Sequence, residues 1–220
     1  MALALGPLIL FSLNVLSAVV AFLTSYFAYR FERVADSPLL KAITVGFMLL
    51  GVGLLAEAGT SVALGQTLVD VLKSRVLAVL ATFTYLSIQV LAYVIFAAGY
   101  CYVAFGRGWK VASAAILAVV SGRIVDFVGF YRFAVASYFV ALVLLAFVVF
   151  QGVLIHSRSR SSFSLLVMLA FVLILLAHVV LLVSVIDLAG VLFLAGTVIQ
   201  FLGFVSLLVF LVRSARVGPA

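Results

Sequence analysis

Residues 163–186 read FSLLVMLAFVLILLAHVVLLVSVI, an apolar stretch without one Asp, Glu, Lys or Arg and with His178 as its only titratable side chain. A helix needs about 20 mostly apolar residues to cross a hydrocarbon core about 30 Å thick. Only helices and closed barrels satisfy their backbone polar groups there. A barrel strand would alternate apolar and polar positions over short segments, whereas this stretch, like Leu142–Phe150, is continuous. The segment reads as a transmembrane helix.

The same criterion, carried outward, predicts seven spans: 8–30, 39–62, 76–103, 109–128, 133–156, 163–186 and 190–212. Span four is the weakest. Its clean apolar run, Val111 to Val120, is short, and it crosses only if Arg123 and Asp126 are accommodated near its outer end. The alternative is six spans plus a re-entrant piece. Composition agrees with a chain that is almost all membrane: 68% of residues are hydrophobic and 9% charged, against about 25% charged in a soluble domain. A water-soluble globule and a disordered chain are both excluded. The single cysteine, Cys101, excludes a disulfide framework or a thiolate metal cluster. Met1 to Pro7 carries no positive charge, unlike the n-region of a signal peptide, so the first segment is expected to remain as a helix. The segments between spans leave no room for an extramembrane catalytic or nucleic-acid-binding domain.

Lys and Arg accumulate in cytoplasmic loops. With the N-terminus outside, the inner segments hold Arg30, Arg33, Lys41, Arg107, Lys110, Arg158, Arg160, Arg213 and Arg216. The outer ones hold Lys73, Arg75, Arg123 and Arg132. Tyr26, Tyr29, Tyr100, Tyr102 and Trp109 cluster at the inner ends as an aromatic belt. The expected topology is N-outside and C-inside. The net charge of +7 then serves orientation and attraction to anionic lipid headgroups.

The chain repeats. Ile88-Gln89-Val90-Leu91-Ala92-Tyr93-Val94 matches Ile199-Gln200-Phe201-Leu202-Gly203-Phe204-Val205; Val19-Val20-Ala21-Phe22 matches Leu144-Leu145-Ala146-Phe147; Gly46-Phe47 can be set against Ala170-Phe171. Two three-helix units separated by one helix run parallel, related by an axis along the membrane normal. The expectation is one domain, 1–220, made of a first repeat (8–103), a linker helix (109–128) and a second repeat (133–212). In topology and repeat pattern the chain resembles the broad group containing SWEET and PQ-loop transporters and the seven-helix opsins. It departs from that group at definite points. There is no Pro-Gln pair, span seven has no lysine for a retinal Schiff base, and Pro7, Pro38 and Pro219 are read as lying outside helix interiors. No functional residue is carried over from the group.

Polar residues inside spans cost free energy and usually face the bundle or a wet cavity. Asn14, Glu57, Thr60, Thr82, Tyr85, Tyr138, His178 and Thr197 fall in the predicted outer half, with Gln89 and Gln200 near the midplane. Thr82, Tyr85 and Gln89 form a stripe at helical spacing; Gly196, Gln200 and Gly203 form another; Gly46, Gly53, Glu57 and Thr60 share a face. These placements predict a ligand pocket open to the outside, formed by Glu57, Thr82, Tyr85, Gln89, His178, Thr197 and Gln200. Gln89 and Gln200 form its floor, and apolar packing closes it below. Plainer readings stand beside this one. Glu57 can snorkel to the interface. Arg123 and Asp126 read as a structural ion pair, His178 as a hydrogen-bonded structural histidine, and Gln89 and Gln200 as ties between helices. Cys101 reads as inert.

His156 and His178 lie at different depths, so they cannot share a haem. Zinc needs three or four converging ligands, and no motif spacing supplies them. Nucleophile motifs, phosphate loops and paired catalytic acids are missing, so no cofactor, metal or enzymatic activity is expected. The expected function is binding or transport of a small solute through an outward-facing polar cavity, with a proton-linked role for Glu57 or His178 conceivable. The rival is a sensory or scaffolding subunit acting through a partner protein. Expected partners are the lipid bilayer, a small-molecule ligand, and a second copy or another membrane protein, with no nucleic acid. The expected location is a prokaryotic cytoplasmic membrane.

Overall fold

A computed structural model describes residues 2–65, 71–105, 130–160, 162–187 and 189–217. The regular structure among them is helical: α1 (Ala2–Ala35), α2 (Pro38–Gly65), α3 (Val71–Phe105), α4 (Phe130–Ser159), α5 (Ser162–Asp187) and α6 (Gly190–Val217). Each contains a stretch of 22 to 29 residues that is long and apolar enough to cross a membrane. The chain is a multi-pass membrane protein on that count. These six helices correspond to predicted spans one to three and five to seven. Predicted span four, with Arg123 and Asp126, lies outside the described residues.

The turns between paired helices use local chemistry. Asp36 ends α1 in the left-handed region, at φ 41°, with its N–H donating to Glu32 O at 2.8 Å. Asp tolerates this conformation better than most residues, and the bond satisfies one of the orphan carbonyls of the helix end. Pro38 then occupies the first position of α2, where its missing N–H has no helical partner to lose. Lys41 donates to Asp36 Oδ1 at 2.8 Å and lies 3.5 Å from Glu32 Oε1. The Lys41 ammonium holds the Asp36 carboxyl below the usual carboxylate range. Arg160, at φ 47°, ends α4 in the same way, donating to His156 O.

Sequence neighbours pack in order, and α3 meets α4 as α6 meets α1, so the described helices close into a ring. Facing residues give the directions. Ser25 of α1 donates to Thr44 O of α2 at 2.8 Å. Phe96 of α3 touches both Phe47 of α2 and Phe171 of α5. Phe83, a third of the way along α3, stacks on Phe133 near the start of α4, with centroids 4.3 Å apart. Helices α3 and α4 therefore run the same way, while each consecutive pair joined by a short turn is antiparallel.

Every helix also presents large apolar side chains outward: Leu16, Met48, Leu80, Phe139, Leu176 and Val209 are all more than half exposed or at half. So much exposed apolar surface would be an aggregation liability in water; lipid is its natural solvent. Between the helices, Phe47, Phe96, Phe171 and Phe204 are wholly buried and meet mostly edge to face, a favoured arrangement for aromatic rings. Small residues let the backbones approach. A methyl group on Gly46 would overlap the Phe96 ring, and one on Gly203 would sit 2.8 Å from Ile174 Cγ1.

Two expectations need correction. Helix α1 begins at Ala2, so Pro7 lies within a helix. Pro7 is the sixth residue of that helix, beyond the four N–H groups that have no helical partner, so it forfeits one backbone bond, the one to the carbonyl of residue 3. The pairing of Val19–Phe22 with Leu144–Phe147 also fails as a structural register, because Val19 faces outward and Leu144 is buried. The burial pattern along 13–28 recurs instead along 133–148. Gly46-Phe47 and Ala170-Phe171 are buried alike, as are Gln89 and Gln200.

Candidate functional site

Five buried polar side chains from three helices meet between α3, α5 and α6: Tyr85, Gln89 and Tyr93 from α3, His178 from α5 and Gln200 from α6. Gln89 Nε2 donates to the Tyr85 hydroxyl at 2.8 Å. His178 Nδ1 lies 2.8 Å from the Ile174 carbonyl, and its Nε2 lies 3.0 Å from the Tyr93 hydroxyl. A carbonyl only accepts, so Nδ1 carries the proton. In the neutral ring Nε2 is then the acceptor, and Tyr93 O–H donates to it. The Gln89 and Gln200 amides lie beside both phenol oxygens. Even so, the buried Nε2 of Gln200 completes no hydrogen bond among the described residues. The Tyr93 and Tyr138 rings flank the imidazole at centroid distances of 5.1 and 6.1 Å.

The depths agree. His178 is nine residues before the end of α5 and Gln200 ten after the start of α6, which at 1.5 Å per residue puts both about 14–15 Å from one end of the bundle. Towards that end lies a cavity of about 500 Å³ whose walls include Glu57, Thr82, Tyr138 and Ser184. The Glu57 carboxylate is close enough to act electrostatically on Tyr85 and Tyr138. Tyr138 therefore connects the cavity to the buried cluster, since its ring borders both. On the other side of the cluster stand the four packed phenylalanines, with Tyr100 edge-on to Phe171.

Of the seven residues expected to form the pocket, Glu57 and Thr82 line the cavity. Tyr85, Gln89, His178 and Gln200 form the cluster behind it. Thr197 is buried, but its hydroxyl donates to Phe193 O of its own helix at 2.9 Å, which leaves it little to offer a ligand. The side chain of Thr60 lies outside the described residues. Tyr93 was missing from the expected set although it extends the Thr82–Tyr85–Gln89 stripe by one further step of four. Tyr138 is expected among the polar residues of the outer half but not in the pocket itself. Polar burial also extends beyond the expected half: Thr24, Ser25 and Gln151 are buried towards the opposite end. Among the described residues no three His, Cys, Asp or Glu side chains come together to hold a metal ion.

Comparison with protein-family models, with curated proteins and with solved structures found no match. The functional reading therefore rests on the geometry of the cavity and its cluster.

Proposed function

We propose that this chain is a non-enzymatic membrane protein that binds a small solute in the Glu57 cavity, from the outer face. One observation carries the reading: a cavity of about 500 Å³ with a carboxylate and hydroxyls on its wall, backed by a hydrogen-bonded cluster of Tyr, Gln and His. Small-molecule sites typically occupy about 300–1,000 Å³, with a few placed polar groups in mostly apolar walls. Polar side chains inside a span are costly to insert and often mark functional sites, which supports a functional role for the five buried here.

The proposed frame is seven spans in two parallel repeats, α1–α3 and α4–α6. The closed ring supports it, as do the matching left-handed ends at Asp36 and Arg160. The proposal assigns to predicted span four, 109–128, the return crossing that the shared direction of α3 and α4 calls for. A helix over 109–128 would rise about 30 Å, the thickness to be crossed. Under the repeat, Glu57 of the first half pairs with Leu181 and His178 of the second with Leu54, so each half contributes one polar residue where the other has leucine. Arg30, Arg33, Lys41, Arg158, Arg160 and Arg213 lie at or near the helix ends remote from the cavity, against Arg132 at the cavity end; this bias supports an outward-facing cavity by the positive-inside rule.

The packed phenylalanines favour binding and sensing over passage, since transport would require Phe47, Phe96, Phe171 and Phe204 to part. The test uses the purified chain in lipid nanodiscs, screened for thermal stabilisation by a panel of small cations, polyols, amino acids and carboxylates. A ligand of the folded state raises the melting temperature as its concentration passes Kd. Ala134→Phe, on the cavity wall, should abolish the shift. A panel that stabilises nothing, or a shift that survives Ala134→Phe, contradicts the proposal. Accumulation of the bound solute in proteoliposomes separates transport from sensing.

A further inference from the structure

We infer that a groove between α2 and α3, at the end of the bundle remote from the Glu57 cavity, holds one phospholipid with an amine-bearing zwitterionic headgroup, of the phosphatidylethanolamine class. The groove has a volume of about 460 Å³ and is bordered by Lys41, Ala42 and Val45 of α2 and by Ile95, Ala98 and Tyr102 of α3. A methyl group on Gly99 would overlap Ala42 Cβ, so the two backbones approach closely at the floor and no large side chain fills the furrow from below. Val45 and Tyr102 are 47% and 40% exposed, so the groove opens sideways, towards acyl chains. Seven residues of helix on each wall give it a length of about 10 Å, against about 15 Å for one leaflet of the hydrocarbon core. Lys41 is the one charged side chain among the described residues lining it, and it stands beside the turn between α1 and α2. Deeper along the groove the walls are apolar. The order of groups, charge at the helix ends and apolar surface below, is that of a phospholipid.

Size decides against a helix from a second copy as the occupant. Ten ångströms of helix about 10 Å across occupies on the order of 800 Å³, and the small residues such a helix would seek, Ala42 and Gly99, are already packed on each other. An acyl chain is narrow enough. Charge then selects the headgroup. Lys41 Nζ donates to Asp36 Oδ1 at 2.8 Å and lies 3.5 Å from Glu32 Oε1, so these three groups together carry one negative charge. Arg33, in the last turn of α1, stands over the Tyr29 ring. A purely anionic headgroup would therefore meet an ammonium already shared between two carboxylates. A headgroup with both signs suits the site better. Its phosphate accepts from a further N–H of Lys41, which has three to donate, and its ammonium donates to Asp36, whose side chain is 88% exposed. A choline headgroup has the same charges but no N–H to donate.

The experiment titrates the full chain, delipidated in mild detergent, with dioleoyl phosphatidylethanolamine, phosphatidylcholine or phosphatidylglycerol. Native mass spectrometry counts the bound lipid, and melting temperature is read alongside. The expected result is one tightly retained lipid, with the ethanolamine lipid bound about three- to fivefold more tightly than the choline lipid, the effect of one exposed charge pair. Melting temperature should rise as its concentration passes Kd. Val45→Trp, on the exposed wall, should block retention while the lipid-free protein still melts cooperatively. Asp36→Asn, which tolerates the left-handed backbone at that position, should erase the preference for ethanolamine, and Lys41→Gln should weaken all three lipids. Equal binding of ethanolamine and choline lipids, tighter binding of the glycerol lipid, or retention unchanged in Val45→Trp overturns the inference. So does disulfide-linked dimer formation by Val45→Cys in a Cys101→Ala background, which would show a second copy covering the groove.

Discussion

Phe171→Ala is expected to be the most damaging single truncation in the bundle, lowering stability by about 3–5 kcal/mol, the usual range for a buried Phe→Ala change. Phe171 is wholly buried and meets Phe96 at 5.5 Å and Tyr100 at 6.1 Å, both edge to face. In a membrane the argument differs from that for a soluble core. Lipid tails are as apolar as phenylalanine, so burial from water contributes little between helices, and packing contacts hold the bundle together. Removing the ring leaves a void that lipid cannot reach. Phe139, on the outer surface and 59% exposed, has acyl chains for neighbours. Phe139→Ala should therefore cost well under half as much. Unfolding by SDS titration in mixed micelles measures both. Equal losses at the two positions would mean that Phe171 faces lipid and the ring of helices is wrongly assembled.

Gly46→Ala is the second large effect. The added methyl would overlap the Phe96 ring, and that ring cannot swing aside because Phe47, Tyr93 and Phe171 surround it. Overpacking of this kind costs about 1–3 kcal/mol, against a gain of up to about 1 kcal/mol from replacing glycine in a helix interior. The sum is a loss of stability, read as a lower melting temperature. Gly59→Ala, where an added methyl would meet nothing within 4 Å, isolates the backbone contribution and should be neutral or stabilising. A stabilised Gly46→Ala would show that α2 and α3 are not in close contact there.

What the sequence discloses follows from which physical signals are one-dimensional. The apolar run at 163–186 needs no tertiary information, because its length alone matches the membrane; the described helices coincide with six predicted spans for that reason. Glu57, Gln89, His178 and Gln200 stood out because polar groups are conspicuous against leucine and valine. Tyr93 was overlooked because a tyrosine amid apolar residues reads as packing until His178 is placed opposite it. Thr197 shows the reverse error: a threonine can satisfy its hydroxyl on its own helix, so polarity alone does not make a ligand group. The Val19–Phe22 and Leu144–Phe147 register misled because lipid-facing and protein-facing positions draw on the same residues. The letters agree where the faces do not. The order of the ring and the aromatic closure depend on contacts between distant helices, which periodicity does not encode.

The central claim is that the polar interior opens at one end of the bundle and is sealed from the other. Thiol accessibility in oriented membranes tests it most directly. Cys101 is buried and is replaced by alanine to give a clean background; Thr82→Cys then places a thiol on the cavity wall and Leu207→Cys one in the wholly buried interior. The account predicts that a membrane-impermeant methanethiosulfonate labels Thr82→Cys from the outside alone and labels Leu207→Cys from neither side. Labelling of Thr82→Cys from the cytoplasmic side, or of Leu207→Cys from either side, would contradict it.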